Sequence, residues 1–392
     1  MPFNRVIIII IDACGVGELP DAGEYGDNGA STIPHVAEVR GGLNMPICQR
    51  LGLGNIVPIL KINPNFTPTG CFGRMKPKSP GKDSTSGHWE IGGVILDKPF
   101  PTYPNGFPFE LVKKFEELSG ITTIGNIPAS GTEIIRELGE EHLKSKSIIL
   151  YTSADSVWQM AAHEEIYPLK KQYEYCQIAR DMLTGEHAVG RVIARPFIGK
   201  PGNFIRTKGR KDFSLTPHSD TIMDLMNKKG FSSLAIGKIW DLFAERGFDD
   251  HIKTADNDEG LSVIINAVEQ NKQHKLLFAN LVDFDMLWGH RRDVKGFAKA
   301  LESFDFKLGE ILTKLHSDDL LIITADHGCD PTYIKHTDHT REYVPLLTFS
   351  KEGQADINLG IRETFSDVAC TIAEIFGIEH NFKGTSFLNE IQ

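Results

Sequence analysis

Residues 320–345, LLIITADHGCDPTYIKHTDHTREYVP, constrain the fold more than any other stretch of this chain. The apolar run at 320–323 reads as a buried strand. It ends in Asp326-His327, where the chain must leave the sheet. A second polar cluster follows, His336, Asp338 and His339, and then another apolar strand at 343–349. Carboxylates and imidazoles at the C-terminal edge of a strand are what a divalent metal site needs, and that edge is where open α/β sheets bind ligands. A single pair of this kind would read better as a capped turn and a packed histidine than as a metal site. Recurrence of the pattern at other strand ends favours the metal.

The first recurrence is at the N-terminus. Residues 6–11 are almost all β-branched, as suits a central parallel strand buried on both faces. Asp12 follows directly, then Gly15 and Gly17; by itself this is as good an Asx-turn as a ligand loop. The second is NLVDFDMLWGHRRD, which closes an apolar run at 276–282. Asp283 and Asp285 alternate across the strand exit, and His290 lies five residues beyond Asp285. That is a loop spacing rather than the i, i+4 spacing of a helical pair, and it fits Asp285 and His290 folding back on one ion. Asp283 reads either as a support for the ligands or as a cap.

Between these lies GKDSTSGHWE, residues 81–90. Three consecutive hydroxyl residues between an aspartate and a glycine form a candidate nucleophile loop, because a metal lowers the pKa of a hydroxyl it binds. With Glu90 in the first turn of a helix, the neighbouring residues would sit at an N-terminus suited to anions. Residues 18–80 are rich in Gly and Pro, with little secondary structure expected beyond short pieces.

From about residue 100 to 216 the character changes. Pro99, Pro101, Pro104 and Pro108 mark a hinge, and Pro217 suggests its return. Helices are expected at 109–118 and 169–183 and strands at 147–152 and 189–194. Residues 188–211 carry seven basic residues and no acidic one: Arg191, Arg195, Lys200, Arg206, Lys208, Arg210 and Lys211. A run like this is usually a solvated face, but Arg191 opens an apolar strand, and the patch suits a phosphate dianion. From 218 onward strands and helices alternate, which means a mostly parallel sheet covered on both faces. The domain expectation is therefore a discontinuous metal-binding core, 1–99 and 217–392, with a cap inserted at 100–216.

Composition sets the remaining bounds. The formal charge of −10 argues against nucleic acid as a partner. The six cysteines show no CxxC and no regular spacing, and they read as free thiols in a reducing compartment. No run is long enough for a membrane span, so a cytoplasmic protein with no membrane partner is expected. The oligomeric state is left open, a monomer included.

The order Asp12, a hydroxyl at 84 or 85, Asp285 with His290, Asp326-His327 and His339 resembles the alkaline phosphatase superfamily of two-metal phosphoryl-transfer enzymes. KDSTSGHWE, YTSADSVWQMAAHEE, GRVIARPF, NLVDFDMLWGHRRD and TDHTREYVPLL are similar to the signature stretches of the bacterial phosphopentomutase family. The likeness runs from Ile9 to the closing GTSFLNE.

That resemblance implies an alkaline-phosphatase-like α/β core and an inserted α+β cap domain. It also implies two Mn²⁺ ions per chain, one held by Asp12, Asp326 and His327 and the other by Asp285, His290 and His339. The nucleophile of the family is a threonine directly after Lys-Asp; here that position is Ser84, with Thr85 next to it. Position favours Ser84 and residue type favours Thr85. Sugar-phosphate contacts are implied at Ser153, Asp155, Val157, Arg191, Ile193 and Arg206 in the cap, and at Lys238 in the core.

The implied activity interconverts ribose (or 2-deoxyribose) 1-phosphate and 5-phosphate through a pentose bisphosphate. A sugar bisphosphate, glucose 1,6-bisphosphate or ribose 1,5-bisphosphate, is the implied activator. The rival activities are a phosphatase, a phosphodiesterase or a phosphoglycerate mutase of the same superfamily, with a non-catalytic binding protein ranked last. A mutase must keep water from the phosphoryl group, and closing a cap with a basic patch is the physical means expected here.

Overall fold

The computed structural model describes residues 3–153, 155–270 and 273–392. The chain forms two compact units, Met1–Lys98 with Pro217–Gln392, and Pro99–Thr216. Fourteen strands occur among the described residues. They are β1 (Arg5–Ile11), β2 (Cys71–Met75), β3 (Thr123–Pro128), β4 (Ile148–Thr152), β5 (Val157–His163), β6 (Arg191–Lys200), β7 (Asn203–Arg206), β8 (Lys211–Ser214), β9 (Ser233–Ile236), β10 (Asp250–Ile252), β11 (Leu276–Leu281), β12 (Asp319–Thr324), β13 (Val344–Phe349) and β14 (Asn358–Arg362).

The first unit is built on an eight-stranded sheet in the order β10-β9-β11-β1-β12-β13-β2-β14. Pairing is parallel except where β13 runs antiparallel to β12 and β2. β1 is buried along its whole length, as its β-branched sequence requires of a strand covered on both faces. Its parallel neighbours are β11, with Ile11 opposite Leu281, and β12, with Ile10 opposite Thr324. Three acidic loops therefore leave one sheet edge side by side. Flanking helices include Val294–Lys314, which packs on Thr32–Arg40 and Asn257–Gln270, and Ser366–Ile375, which packs on Ser84–Ile91 and Ile222–Lys228.

The opposite edge of the sheet is held by a buried ion pair. Arg5 donates through Nε and Nη2 to Asp319 at 2.7 and 2.5 Å, and through Nη2 to the carbonyl of Val268 at 2.9 Å. The two residues are direct partners in the β1–β12 register.

The second unit is a sheet in the order β3-β4-β5-β6-β7, with β8 also pairing to β6. Alternation along β4 divides its two cores. Ile148 and Leu150 pack with Trp158, Phe107 and Phe115, and Ile149 and Tyr151 pack with Ile134, Ile135 and Phe197.

Several expectations need correction. Residues 18–80 contain three α-helices, Thr32–Arg40, Pro46–Leu51 and Leu53–Ile56, and a 3-10 helix Ala22–Tyr25, as well as β2. Gly and Pro punctuate these helices instead of abolishing them. Pro46 takes the first helical position, and Gly41 and Gly52 end helices in the left-handed region, at φ 79° and 109°. In the second unit the expected strand at 189–194 extends to Lys200, and helix Gly131–Ser145, β3, β5, β7 and β8 are additional. The added strands carry no clean period of 2 in the sequence, whereas Gly131–Ser145 is amphipathic, with Ile134, Ile135 and His142 on its buried face, and its period is legible. Glu90 lies in the last turn of its helix, not the first.

The buried pair yields a prediction. Arg5→Ala leaves Asp319 buried and uncompensated, which costs about 3–5 kcal/mol. Urea or thermal unfolding should show this loss, with divalent-ion binding by the folded protein unchanged, because the pair lies at the far end of the strands.

Candidate metal centre

β1, β11 and β12 deliver Asp12, Asp285 and Asp326 to one place. All three side chains are buried, and Asp12 Oδ1, Asp285 Oδ1 and Asp326 Oδ2 accept no hydrogen bond. A buried carboxylate oxygen without a partner is strongly unfavourable unless a cation faces it. Three of them in one cluster make a case for cations here that residue identity alone does not.

The imidazoles complete two groups. Asp12, Asp326 and His327 offer ligand atoms all within 4.8 Å of one another. His327 Nε2 lies 3.2 Å from Asp326 Oδ2 and 3.5 Å from Asp12 Oδ1. In the second group His339 Nε2 is 3.2 Å from Asp285 Oδ1, His290 Nε2 is 3.4 Å from that same oxygen, and the two ring nitrogens are 3.1 Å apart. Metal bonds of about 2.0–2.2 Å put neighbouring ligand atoms roughly 3.0–3.5 Å apart, so these spacings suit one ion. His327 and Asp285 also group with His339, which sits between the two sets.

The other ring nitrogens are committed. His290 Nδ1 faces the Thr337 carbonyl at 2.6 Å and His327 Nδ1 faces that of Gly328 at 3.1 Å. A carbonyl only accepts, so Nδ1 carries the proton and Nε2 keeps its lone pair for the ion.

His290 reaches Asp285 by a route the sequence reading did not foresee. Residues Phe284–Gly289 form a single π-helical turn, and the His290 amide donates to the Asp285 carbonyl at 3.2 Å. The i→i+5 hydrogen bond of that turn brings residues five apart close together, and both side chains reach the same place. Asp283 caps the neighbouring helix start: its Oδ2 accepts from the Asn257 amide at 2.8 Å.

The hydroxyl loop meets the first group. Ser84 opens helix Ser84–Ile91, and Asp83 caps it by accepting from the Ser86 amide at 3.0 Å. Ser84 Oγ lies 3.1 Å from His327 Nε2. Thr85 is buried in the same turn. A Cβ on Gly87 would stand 2.2 Å from the Asp326 carbonyl oxygen, so this helix packs closely enough on the Asp326 loop that a glycine is required.

His88, Trp89 and Glu90, which had no role from sequence, support this arrangement. Asn280 Nδ2 donates to Asp12 Oδ2 at 2.9 Å and faces His88 Nε2 at 3.1 Å. His88 Nδ1 lies 2.8 Å from the Ser84 carbonyl and 3.2 Å from Asp326 Oδ2. Trp89 Nε1 donates to the Leu242 carbonyl. Glu90 accepts from the amides of Lys78, Ser79 and Phe365 and from the Thr364 hydroxyl, at 2.6–3.0 Å.

Sequence reasoning also missed Glu342. It is buried and accepts from Thr32 N, Thr32 Oγ1, Gly17 N and Thr340 Oγ1. Arg341 donates to the Ser79 and Gly81 carbonyls at 2.9 and 2.8 Å, which ties the loop before Ser84 to the strand after His339. The TDHTRE string contains both residues, but charged residues beside a motif read as surface. His336 lies outside the metal groups: its Nε2 faces Asp27 Oδ1 at 2.7 Å.

Protons occupy this centre when no cation does. Burial, then Asp326 and Asp285, push Asp12 up to about 7. Burial would also raise Asp326, but His327 and His88 outweigh it and hold that carboxylate well below its usual range. His327 is driven down by burial and more strongly up by Asp326, to about 10. Burial likewise lowers His290, and the Asp285 carboxylate beside it outweighs that, giving about 12.

Of the residues that the sequence linked to sugar phosphate, Val157 pairs with Arg191 across β5 and β6, and Asp155 lies 3.6 Å from Arg191 Nη2. Ser153 is half-buried just after β4, and Ile193 is two residues along β6 from Arg191. Arg206 does not join them by backbone register, since it pairs with Phe197, six residues further on. The basic run also divides. Asp155 and Asp212 flank Arg191, whereas Arg195, Arg206 and Arg210 line a 540 Å³ cavity with Thr132 and Phe204. Lys238 belongs to the first unit, where it caps helix Ile239–Leu242.

Known proteins place this geometry in context. The chain matches the model of the Metalloenzyme superfamily over residues 4–380. It is 56% identical over 388 residues to the phosphopentomutase of Caldanaerobacter subterraneus subsp. tengcongensis, covering 99% of this chain and 98% of that one. The phosphopentomutase of Carboxydothermus hydrogenoformans is 55% identical over 389 residues, covering 99% of this chain and 100% of the other. Among solved structures, the PH0037 protein from Pyrococcus horikoshii aligns with a TM-score of 0.50 at 16% identity, over 97% of this chain and 99% of that one. At that identity the likeness speaks for the fold.

Two outcomes are expected. Asp12, His327 and His290 all hold protons more tightly here than in a free side chain, so a divalent ion must displace them. Mn²⁺ affinity of chelator-stripped protein should therefore rise between about pH 6 and 8, and loading should release protons, as calorimetry in buffers of different ionisation enthalpy would record. Gly87→Ala should cost about 1–3 kcal/mol by overpacking and lower the bound-metal stoichiometry, as unfolding and elemental analysis would show.

Proposed function

We propose, from the premise that this chain belongs to the phosphopentomutase family of the metalloenzyme superfamily, that it interconverts the 1-phosphate and 5-phosphate of ribose or 2-deoxyribose. In this reading two Mn²⁺ ions occupy the centre, one on Asp12, Asp326 and His327 and one on Asp285, His290 and His339. Bound there, the ions supply Lewis acidity and neutralise phosphoryl charge. The observation that carries the reading is the Ser84 hydroxyl 3.1 Å from His327 Nε2, beside three carboxylates with unpartnered oxygens.

The protein's own groups divide the work. Ser84 is the residue that carries the phosphoryl group. Its position at the start of a helix favours a phosphate, because free amides and the helix dipole point that way. Phospho-Ser84 gives its phosphoryl group to a pentose monophosphate and becomes a free hydroxyl. The pentose bisphosphate so formed turns over and returns its other phosphoryl group to Ser84. Asn280 and His88 hold Asp12 and Asp326 in place, and Arg341 and Glu90 hold the loop that leads into Ser84.

Sugar-phosphate binding is assigned to Ser153, Asp155, Val157, Arg191, Ile193 and Arg206 in the second unit and to Lys238 in the first. A sugar bisphosphate, glucose 1,6-bisphosphate or ribose 1,5-bisphosphate, would prime the cycle by phosphorylating Ser84.

Ser84→Ala should lower turnover by on the order of 10⁴-fold or more and remove the phosphopeptide covering residues 82–88, whereas Thr85→Ala should keep that phosphopeptide. Phosphate labelled in ribose 5-phosphate should appear at carbon 1 of a pentose. Label released chiefly as inorganic phosphate would make the protein a phosphatase instead.

A further inference from the structure

The pocket at the end of β11 contains a sulfur atom that the ligand sets above leave unused. Cys329 follows His327 by two residues and is buried. Its Sγ, a ring nitrogen of His290 and a carboxylate oxygen of Asp285 all lie within 4.8 Å of one another. Asp285 Oδ1 is buried and accepts no hydrogen bond, and His290 Nδ1 faces the Thr337 carbonyl, which turns Nε2 toward Asp285 Oδ1 and His339 Nε2 at 3.4 and 3.1 Å.

The backbone holds the sulfur in place. The Cys329 amide donates to the Ala13 carbonyl at 3.0 Å, which ties it to the loop after β1. Gly289 closes the π turn, and a Cβ there would stand 2.9 Å from the sulfur. The missing side chain at Gly289 is thus what admits the thiol. The Cys329 Sγ stands 3.8 Å from the Asp338 carbonyl and within reach of His290.

We propose that Asp285, His290 and Cys329 form an alternative ligand set in this pocket, which binds a thiophilic divalent ion such as Zn²⁺ through the Cys329 thiolate. The inference rests on reading the pocket as a metal site and goes beyond that reading in the choice of ion. Zinc bonds of about 2.3 Å to sulfur and about 2.0–2.1 Å to nitrogen set the two ligand atoms roughly 3.6 Å apart, within the observed span. On binding, the S–H bond breaks, an S–metal bond forms and the proton leaves to solvent. A hard ion such as Mn²⁺ stays with oxygen and imidazole donors, His339 included, and leaves the thiol protonated. One pocket thus offers two donor sets, and the ion selects between them.

Co²⁺ serves as the spectroscopic probe, added to chelator-stripped full-length protein and to Cys329→Ser. The wild type should show thiolate-to-cobalt charge-transfer absorption in the near ultraviolet, and the nearly isosteric variant should bind Co²⁺ without it. Zn²⁺-over-Mn²⁺ preference, measured by competition, should fall by about tenfold or more in the variant. Stoichiometric Co²⁺ in the wild type without that absorption, or with absorption that persists in Cys329→Ser, overturns the sulfur ligand and leaves the metal centre standing. No Co²⁺ uptake by either protein overturns both. If the variant does not fold, the wild-type spectrum decides.

Discussion

Three carboxylates crowded at one sheet edge, away from water, are what the rest of this structure must accommodate. Like charges this close cannot all ionise without compensation, and burial together with the Asp326 and Asp285 charges pushes Asp12 up to about 7. Without a cation the molecule compensates with protonated imidazoles, pairing Asp326 with His327 and Asp285 with His290. A divalent ion does the same job with more charge and leaves the histidines neutral. Cation binding therefore offsets an unfavourable arrangement that the fold imposes.

Holding that arrangement takes a surrounding layer of buried polar groups, each already satisfied. Glu342 gathers four donors from three segments, and Glu90 gathers four around the helix Ser84–Ile91. A satisfied buried carboxylate is rigid, because moving any one loop orphans a charge. Glycines do the complementary work. A Cβ on Gly15 or Gly328 would stand within 2.4 Å of Glu342, so those loops can close on its carboxylate only without side chains. Stability here serves position: the helix of Ser84, the Asp326 loop and the π turn are fixed relative to one another by contacts that contribute nothing to the chemistry directly.

Much of the architecture of the first unit was legible in the sequence. The β-branched run at 6–11 and the apolar runs at 276–282 and 320–323 match observed strands within a residue or two, because buried parallel strands are near-continuous apolar runs. The segments at 18–80 and the second unit were harder. Short helices capped by glycine, and strands such as β5 with mixed side chains, carry no strong period and form because tertiary packing favours them.

The candidate site divides the same way. Residue type and strand-end position marked Asp12, Asp285, His290, Asp326, His327 and His339 as candidate ligands and left the hydroxyl at 84 or 85, and the family resemblance pointed to Ser84. Chain order alone could not say which imidazole faces which carboxylate, nor that a π turn joins Asp285 to His290. It gave no sign that Glu342, Arg341 and Asn280 brace the centre, or that a sulfur atom stands beside it. The π turn is a local irregularity that residue types do not mark; the other facts depend on distances between residues tens to hundreds of positions apart, which exist only once the sheet has set its strand order.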